Sequence, residues 1–218
     1  MYRFDIHAAQ IQGGRPRQED CWGFHNVGGM LCSVLADGLG GHRCGDIAAQ
    51  LTVDQVLGEL QSAISDDPRR PPAVNLRAAA RKAREAVNRY GLTHPECARM
   101  AATLVAVSID EETGQLYSAC AGDSLLLGLT SWGVADLHRQ QRERGTVSCA
   151  VGYSLEQLDC PDESIQLQRG DRFVLASDGI ENLSRPAIES LLAAIEAQAL
   201  PTQDNATIVA LFVGGEDA

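Results

Sequence analysis

Positive charge is scarce in this chain. Its 218 residues carry 18 Lys and Arg against 29 Asp and Glu, a formal net charge of -11, which argues against nucleic acid or an anionic membrane as the main partner. Any site that handles phosphate must then borrow positive charge from metal ions. Cysteine pairs at metal-binding spacing are missing too: Cys21, Cys32, Cys44, Cys97, Cys120, Cys149 and Cys160 contain no CxxC, are odd in number, and in several cases lie within apolar runs. They read as reduced, small core residues of a cytosolic protein rather than as disulfides or a zinc knuckle. No stretch reaches the roughly 18 uninterrupted apolar residues of a membrane span, and the N-terminus has no basic, apolar, small-residue signal pattern. The expectation is a soluble, cytoplasmic protein. Internal repeats and low-complexity linkers are also lacking. With 44% hydrophobic residues, residues 1–218 are enough to bury a real core as one domain.

What is present is a chain with strands at both ends and helices between them. Residues 2–11 alternate loosely at period two and stop at Gly13-Gly14, which predicts a first strand. Residues 30–36 (MLCSVLA) are apolar throughout, the pattern of a central strand covered on both faces. After Gly45 the positions Ile47, Leu51, Val56, Leu57, Leu60 and Ile64 follow helical spacing until residues 66–72 (DDPRRPP) break it. A second helix follows Leu76, Ala80, Ala83, Val87 and Tyr90. Residues 103–109 and 115–121 predict a hairpin, with 125–129 extending the meander, and residues 165–167 and 173–176 predict another around Arg169-Gly170-Asp171. A helix over 186–199 opens with Pro186, and residues 207–213 close the chain as a strand. Strands in hairpins with helices in separate blocks indicate antiparallel sheets covered by helices.

Chemistry gathers at the strand ends. Asp178 ends the apolar run 173–176 in Ser177-Asp178-Gly179, and Asp37-Gly38, Asp123 and Asp204-Asn205 occupy the same kind of place beside other runs. A carboxylate at a strand end, next to a Gly that lets backbone and ion approach, is how a protein builds an all-oxygen site for a hard divalent cation. Taken singly, an Asp before Gly is a turn residue. Four such ends suggest a shared metal cluster.

The motifs match a known family in order and spacing. Arg15-Pro16-Arg17-Gln18-Glu19-Asp20 is similar to R-x-x-N-E-D, and Leu35-Ala36-Asp37-Gly38-Leu39-Gly40-Gly41-His42 with Gly45-Asp46 is similar to A-D-G-M-G-G-H-x-x-G-E. Ala101-Ala102-Thr103 stands where G-T-T is usual, Gly122-Asp123-Ser124 matches G-D-S, Ser177-Asp178-Gly179 matches S-D-G, and Asp204-Asn205-Ala206-Thr207 matches D-N-x-T. Together they span almost the whole chain, and they resemble the metal-dependent serine/threonine protein phosphatases of the 2C type in their bacterial form.

The resemblance implies a mixed α/β (α+β) fold, a four-layer α-β-β-α sandwich of two antiparallel sheets flanked by helices. It implies hydrolysis of phosphoserine and phosphothreonine on proteins by attack of a metal-bridging water, with at least two Mn²⁺ or Mg²⁺ ions. Asp37 would bridge the ions, Asp178 and Asp204 would complete one site, the Gly38 carbonyl would face the other, and Asp123 would serve a third, weaker ion. Glu19 and Asp20 would orient metal-bound waters. Arg15, rather than its competitor Arg17, would grip phosphate oxygens through a planar fork that Lys lacks. The implied partners are a phosphorylated protein and an opposing serine/threonine kinase. Two alternatives stay open: a phosphatase-like regulatory or binding module with little turnover, and a small-molecule phosphomonoesterase.

Departures accompany the matches. Leu125 stands where arginine is usual, and Leu39 where some relatives place a histidine acid. His42 reads as a helix-capping or backbone-bonding residue as readily as a general acid. Residues 130–148 are short for the usual helical flap and keep a charged remnant, His138-Arg139-Gln140-Gln141-Arg142-Glu143-Arg144, expected either as a solvated loop or as a basic rim for an acidic phosphopeptide.

Overall fold

A computed structural model describes residues 1–39, 44–130, 133–138, 141–143, 146–180, 188–200 and 202–214. The elements in chain order are β1 (Arg3–Ile11), β2 (Asp20–Val27), β3 (Met30–Asp37), α1 (Gly45–Asp66), α2 (Pro72–Thr93), β4 (Leu104–Asp110), β5 (Gln115–Ala121), β6 (Leu125–Thr130), β7 (Gly133–Asp136), β8 (Arg142–Glu143), β9 (Thr146–Val147), β10 (Ile165–Gln166), β11 (Arg172–Ala176), α3 (Ile188–Glu196) and β12 (Ala206–Gly214), with short 3₁₀ turns at Pro95–Cys97 and Asp178–Ile180. One antiparallel sheet runs β1-β12-β11-β6-β7 and the other β10-β5-β4-β3-β2, while β8 and β9 pair with each other.

The period-two pleat explains the layering. Along β3, Leu31 and Leu35 face the other sheet, where they pack with Val105, Val107 and Ile109 of β4 and with Phe173, Leu175, Val209 and Leu211 of the opposite sheet. The alternate residues Cys32, Val34 and Ala36 face α1 and α2, against Val53, Val56, Leu60, Leu76, Ala80 and Val87. On the far side, Val174, Ala176, Ile208 and Ala210 pack under Leu191, Leu192 and Ile195 of α3. Three apolar layers thus separate helix, sheet, sheet and helix, the expected four-layer sandwich. The central strand is covered on both faces, which is why residues 30–36 lack a polar side.

Two expected hairpins are instead crossings between sheets. β6 leaves β5 and pairs with β11, Leu125 opposite Ala176, so residues 125–129 do not extend the meander. The turn is made at Gly122, whose φ of 105° lies where a Cβ is disfavoured. Likewise β10 pairs with β5 and β11 with β12, so the Arg169-Gly170-Asp171 turn joins the sheets rather than two partners. Periodicity reports which strands exist and is blind to which neighbour each one takes.

The cysteine reading is corrected in one pair. Cys44 and Cys97 form a disulfide with a Cα separation of 5.5 Å, whereas Cys21, Cys32, Cys120, Cys149 and Cys160 are free as expected. α1 and α2 pack as consecutive antiparallel helices, so the residue before α1 lies beside the turn after α2. A 53-residue separation gives no hint of that meeting. No helix is long and apolar enough to cross a membrane among the described residues.

Candidate metal centre

The expected carboxylates come together at one end of the sandwich, where strands of both sheets stop. Asp20 and Asp37 are cross-strand partners at the start of β2 and the end of β3. Thr103 pins the second of them: its Oγ1 accepts the Asp37 amide at 2.9 Å and its amide donates to the Asp37 carbonyl at 2.8 Å. The same hydroxyl lies 2.7 Å from Ser124 Oγ, which ties the Gly122-Asp123-Ser124 crossing to the Asp37 strand. Asp178 follows β11 directly, and Asp204 precedes β12.

Like charges crowd this end. The Asp37 carboxyl is pushed well above the usual carboxylate range, first by burial and then by the charges of Asp20, Asp178 and Asp123. Asp20, only 7% exposed, is also raised by burial, against two hydroxyl donors that favour its ionised form. Those donors are Ser177 Oγ at 2.8 Å and Thr207 Oγ1 at 2.6 Å, both to Oδ2. The Thr207 amide donates to Ser177 Oγ at 2.9 Å, so neighbouring strands of the other sheet hold one oxygen of Asp20. Its other oxygen, Oδ1, is buried with no protein partner.

A loop between β1 and β2 closes the site from the side. Asn205, 3% exposed, organises it: Nδ2 donates to the carbonyls of Gln12 and Arg17, each at 2.9 Å, and Oδ1 accepts the Glu19 amide at 2.9 Å. Arg15, carried on this loop, donates from Nη2 to Asp204 Oδ2 at 2.6 Å. That bond, followed by the charges of Glu19 and Asp37, holds its guanidinium firmly in the charged form. The competing Arg17 points elsewhere, 3.8 Å from Asp46 and largely exposed. Glu19 is raised by partial burial and by Asp46, and its Oε1 would lie 2.9 Å from a Cβ placed on Gly45. Gly38 packs directly on the Gly45 backbone, and a Cβ there would fall on the Gly45 carbonyl. Gly38 is needed for this close approach.

The donor set fits a hard divalent cation. It consists of carboxylates and a main-chain carbonyl, carries uncompensated negative charge around Asp37, and leaves Asp20 Oδ1 buried without a partner. Among the described residues no three His, Cys, Asp or Glu side chains converge tightly enough to hold an ion by themselves. The chemistry of the donors, carboxylate and carbonyl oxygens alone, is what Mg²⁺ and Mn²⁺ take.

Asp37, Asp178, Asp123, Asp20 and Asp204 therefore share one neighbourhood, with Gly38, Glu19 and Arg15 at its edge. Ser177, Thr207, Thr103, Ser124 and Asn205 were not predicted as site residues. Their signal in the sequence is that each fills a letter of a family motif beside an aspartate or glycine, with no role attached. His138 departs from the expected solvent-facing remnant: it is 3% exposed, with Nδ1 3.1 Å from Asp159 Oδ2 and Nε2 3.3 Å from the Gly122 carbonyl. Gln141 joins it there, its amide donating to that carbonyl at 2.8 Å and its Oε1 accepting the Gly122 amide at 3.0 Å. His138 and Gln141 are thus tied to the Asp123 corner instead of standing free in solvent. Gly40, Gly41, His42, Arg139, Gln140, Arg144 and Pro186 lie outside the described residues, as does the Arg142 side chain, so the basic rim is not described.

Solved structures with this architecture are numerous. The Mycobacterium tuberculosis serine/threonine phosphatase PstP/Ppp is 22% identical, with 99% of this chain and 100% of that one covered at a TM-score of 0.76. The catalytic domain of PstP is also known in complex with two manganese ions. PppA of Pseudomonas aeruginosa, a regulatory component of the T6SS, is 23% identical over 96% of this chain and 97% of its own, with a TM-score of 0.74. Stp1 of Staphylococcus aureus is 17% identical over 98% and 96%, with a TM-score of 0.78. At these identities the likeness establishes the shared fold. No curated protein matches the chain. The protein-family model described as Protein phosphatase 2C matches residues 7–211, and with the carboxylate end just described this chain belongs to that family, as a metal-dependent protein phosphatase.

Proposed function

We propose that residues 1–218 act as one catalytic domain that removes phosphate from phosphoserine and phosphothreonine of proteins, using two Mn²⁺ or Mg²⁺ ions. The observation that carries this reading is the gathering of Asp20, Asp123 and Asp178 near Asp37 at the strand ends, with Asp20 the cross-strand partner of Asp37. The two manganese ions of the PstP catalytic domain support it. When bound, such ions supply a water nucleophilic at neutral pH and positive charge for the phosphoryl oxygens.

The chain's own residues then have separate tasks. Asp37, with Asp178 and Asp204, would hold the ions from strand ends fixed by β-pairing, the Gly38 carbonyl would offer a further oxygen, and Asp123 would serve a third ion. Asp20, gripped by Ser177 and Thr207, and Glu19 would orient the solvent that such ions carry. Arg15 turns its fork from Asp204 toward the substrate's non-bridging oxygens, a recognition that a planar five-donor group performs and an ammonium does not. Leu39 cannot donate a proton, so the leaving serine or threonine oxygen takes its proton from solvent in the site or from another residue.

We further place the protein in the cytoplasm, on its five free cysteines and with the Cys44–Cys97 bridge as the feature that stands against it, and opposite a serine/threonine kinase, on the phosphatase reading itself. The test is phosphate release from phosphoserine, phosphothreonine and phosphotyrosine peptides and from p-nitrophenyl phosphate, each with Mn²⁺, Mg²⁺ or excess EDTA. Turnover of the first two peptides that vanishes in EDTA and returns with Mn²⁺ is expected. Undiminished turnover in EDTA, or none on any phosphopeptide with metal, refutes the reading.

A further inference from the structure

The Cys44–Cys97 disulfide touches both supports of the Gly38 main chain. On one side, Cys44 directly precedes Gly45, whose backbone packs on Gly38 and whose Cα faces the Glu19 carboxyl. On the other, Cys97 lies in the turn whose carbonyl accepts the Met100 amide at 2.9 Å. The next residue, Ala101, accepts the Leu39 amide at 2.9 Å, and Ala102 pairs with Gly38 itself. The bridge therefore closes a ring that runs from Gly38 through Ala102, Ala101 and Cys97 to Cys44, Gly45 and back. Cys44 also has a φ of 70°, left-handed backbone that a residue with a Cβ adopts at a cost. The helix it precedes has no side-chain cap at this end, so the bridge joins the Gly38–Gly45 packing in fixing its entry.

We infer that Cys44–Cys97 is a thiol–disulfide exchange site through which a dithiol reductant controls the metal-holding geometry around Gly38 and Glu19. This rests on the metal-phosphatase reading above. Cys44 is partly exposed whereas Cys97 is 2% exposed, so Cys44 is the half of the bridge that an incoming thiolate attacks in this proposal. The new sulfur–sulfur bond forms as the Cys44–Cys97 bond breaks, and Cys97 departs with the electron pair and takes up a proton. The reductant's second thiol then displaces Cys44 as a thiol, leaving two protein thiols and one oxidised dithiol. The remaining cysteines do not compete, because burial raises their thiols, with Cys21 and Cys32 pushed up to about 11 and Cys120, Cys149 and Cys160 raised in the same direction.

Once the bridge opens, Cys44 can leave its left-handed conformation, and Gly45 is no longer tethered to the segment that pairs with Gly38. Both the Gly38 carbonyl and Glu19 then lose a rigid neighbour. Supporting residues of this kind are worth 10- to 100-fold in metal affinity, so a loss of roughly tenfold on reduction is expected.

The experiment begins with the full chain purified without reductant, alkylated in denaturant and mapped by mass. A linked peptide joining Cys44 to Cys97, with the other five cysteines alkylated, is expected. Mn²⁺ is then titrated calorimetrically into the oxidised protein, the protein reduced by a dithiol, and the reoxidised protein. The dissociation constant should rise roughly tenfold on reduction and return on reoxidation. Cys44→Ser and Cys97→Ser should each show the reduced value under both conditions, and because the wild-type comparison is reversible it stands even if a variant fails to fold. Free thiols at both positions in the unreduced protein, equal Mn²⁺ affinity in both states, or no Mn²⁺ binding at all would overturn the inference. Neither readout needs turnover. A redox-dependent Mn²⁺ affinity in a protein without phosphatase activity would count against the proposed function alone.

Discussion

Replacing Asn205 with Ala removes three hydrogen bonds at once. Its amide group donates to the carbonyls of Gln12 and Arg17 and its oxygen accepts from the Glu19 amide, which ties the loop carrying Arg15 to the start of β12. At about 1 kcal/mol net for each bond, the ceiling is about 3 kcal/mol. Gln12 and Arg17 are exposed and Glu19 is partly so, and water can therefore take over at the two carbonyls. That brings the expected loss to about 2 kcal/mol. For a domain of this size such a loss lowers Tm by roughly 4 to 8 °C. Urea unfolding of metal-free protein, followed by far-ultraviolet circular dichroism, measures the stability term with an unchanged m-value. Because the loosened loop also carries Arg15, KM for p-nitrophenyl phosphate should rise in the same variant while Mn²⁺ affinity changes less. An Asn205→Ala protein whose urea midpoint matches wild type would show that the loop is held by something else.

Three other outcomes are expected. Asp37→Asn should abolish turnover yet raise the melting temperature of the metal-free protein at neutral pH. A folded-state carboxyl raised above its unfolded value makes stability fall as pH climbs through that window, so the gain should shrink as pH drops to the ordinary carboxylate range; an unchanged or lower melting temperature would contradict the crowding. Thr207→Val deletes a 2.6 Å donor to buried Asp20 at nearly constant volume and should cost about 1–3 kcal/mol in urea unfolding; no measurable cost would mean Asp20 is not held from that side. Arg15→Lys should behave much like Arg15→Ala in phosphate affinity, measured by product inhibition, since a point charge does not replace the fork. Recovery by Lys of most of the affinity would make Arg15 a general counter-charge.

The sequence was most informative where local pattern and chemistry coincide. Apolar runs ending in Asp-Gly identified β3 and β11 together with Asp37 and Asp178, and helical spacing located α1 and α2, because each of those signals lies within a few residues. β2 was missed because Cys21-Trp22-Gly23-Phe24 does not alternate, one face of the edge strand being covered by α1 and the other only in part. The partition of strands between two sheets was illegible for a different reason: β6 is as apolar as β5, and pairing with β11 instead depends on a turn at Gly122. Ser177, Thr207 and Asn205 carry short polar side chains that resemble ordinary turn residues until the sheets place them around Asp20 and the Arg15 loop. The Cys44–Cys97 contact belongs to the same class, being visible only after two helices have packed.

The pairing of β1 with β12, from Arg3 opposite Gly214 to Ile11 opposite Ala206, has a consequence for synthesis on the ribosome. Asp204, Asn205 and Thr207 are made long after Arg15 and Asp20, and until they emerge Arg15 has no carboxylate partner, the loop before β2 has no anchor, and Asp20 lacks one of its two hydroxyl donors. A nascent chain that has already formed α1, α2 and the first four strands of the β2–β5 sheet still has an incomplete catalytic end. Activity is thus withheld until residues 204–207 have emerged. Because the closing pair joins β1 to β12, the strands farthest apart in sequence, its formation carries the largest loop-closure cost in the two sheets and is expected to come late.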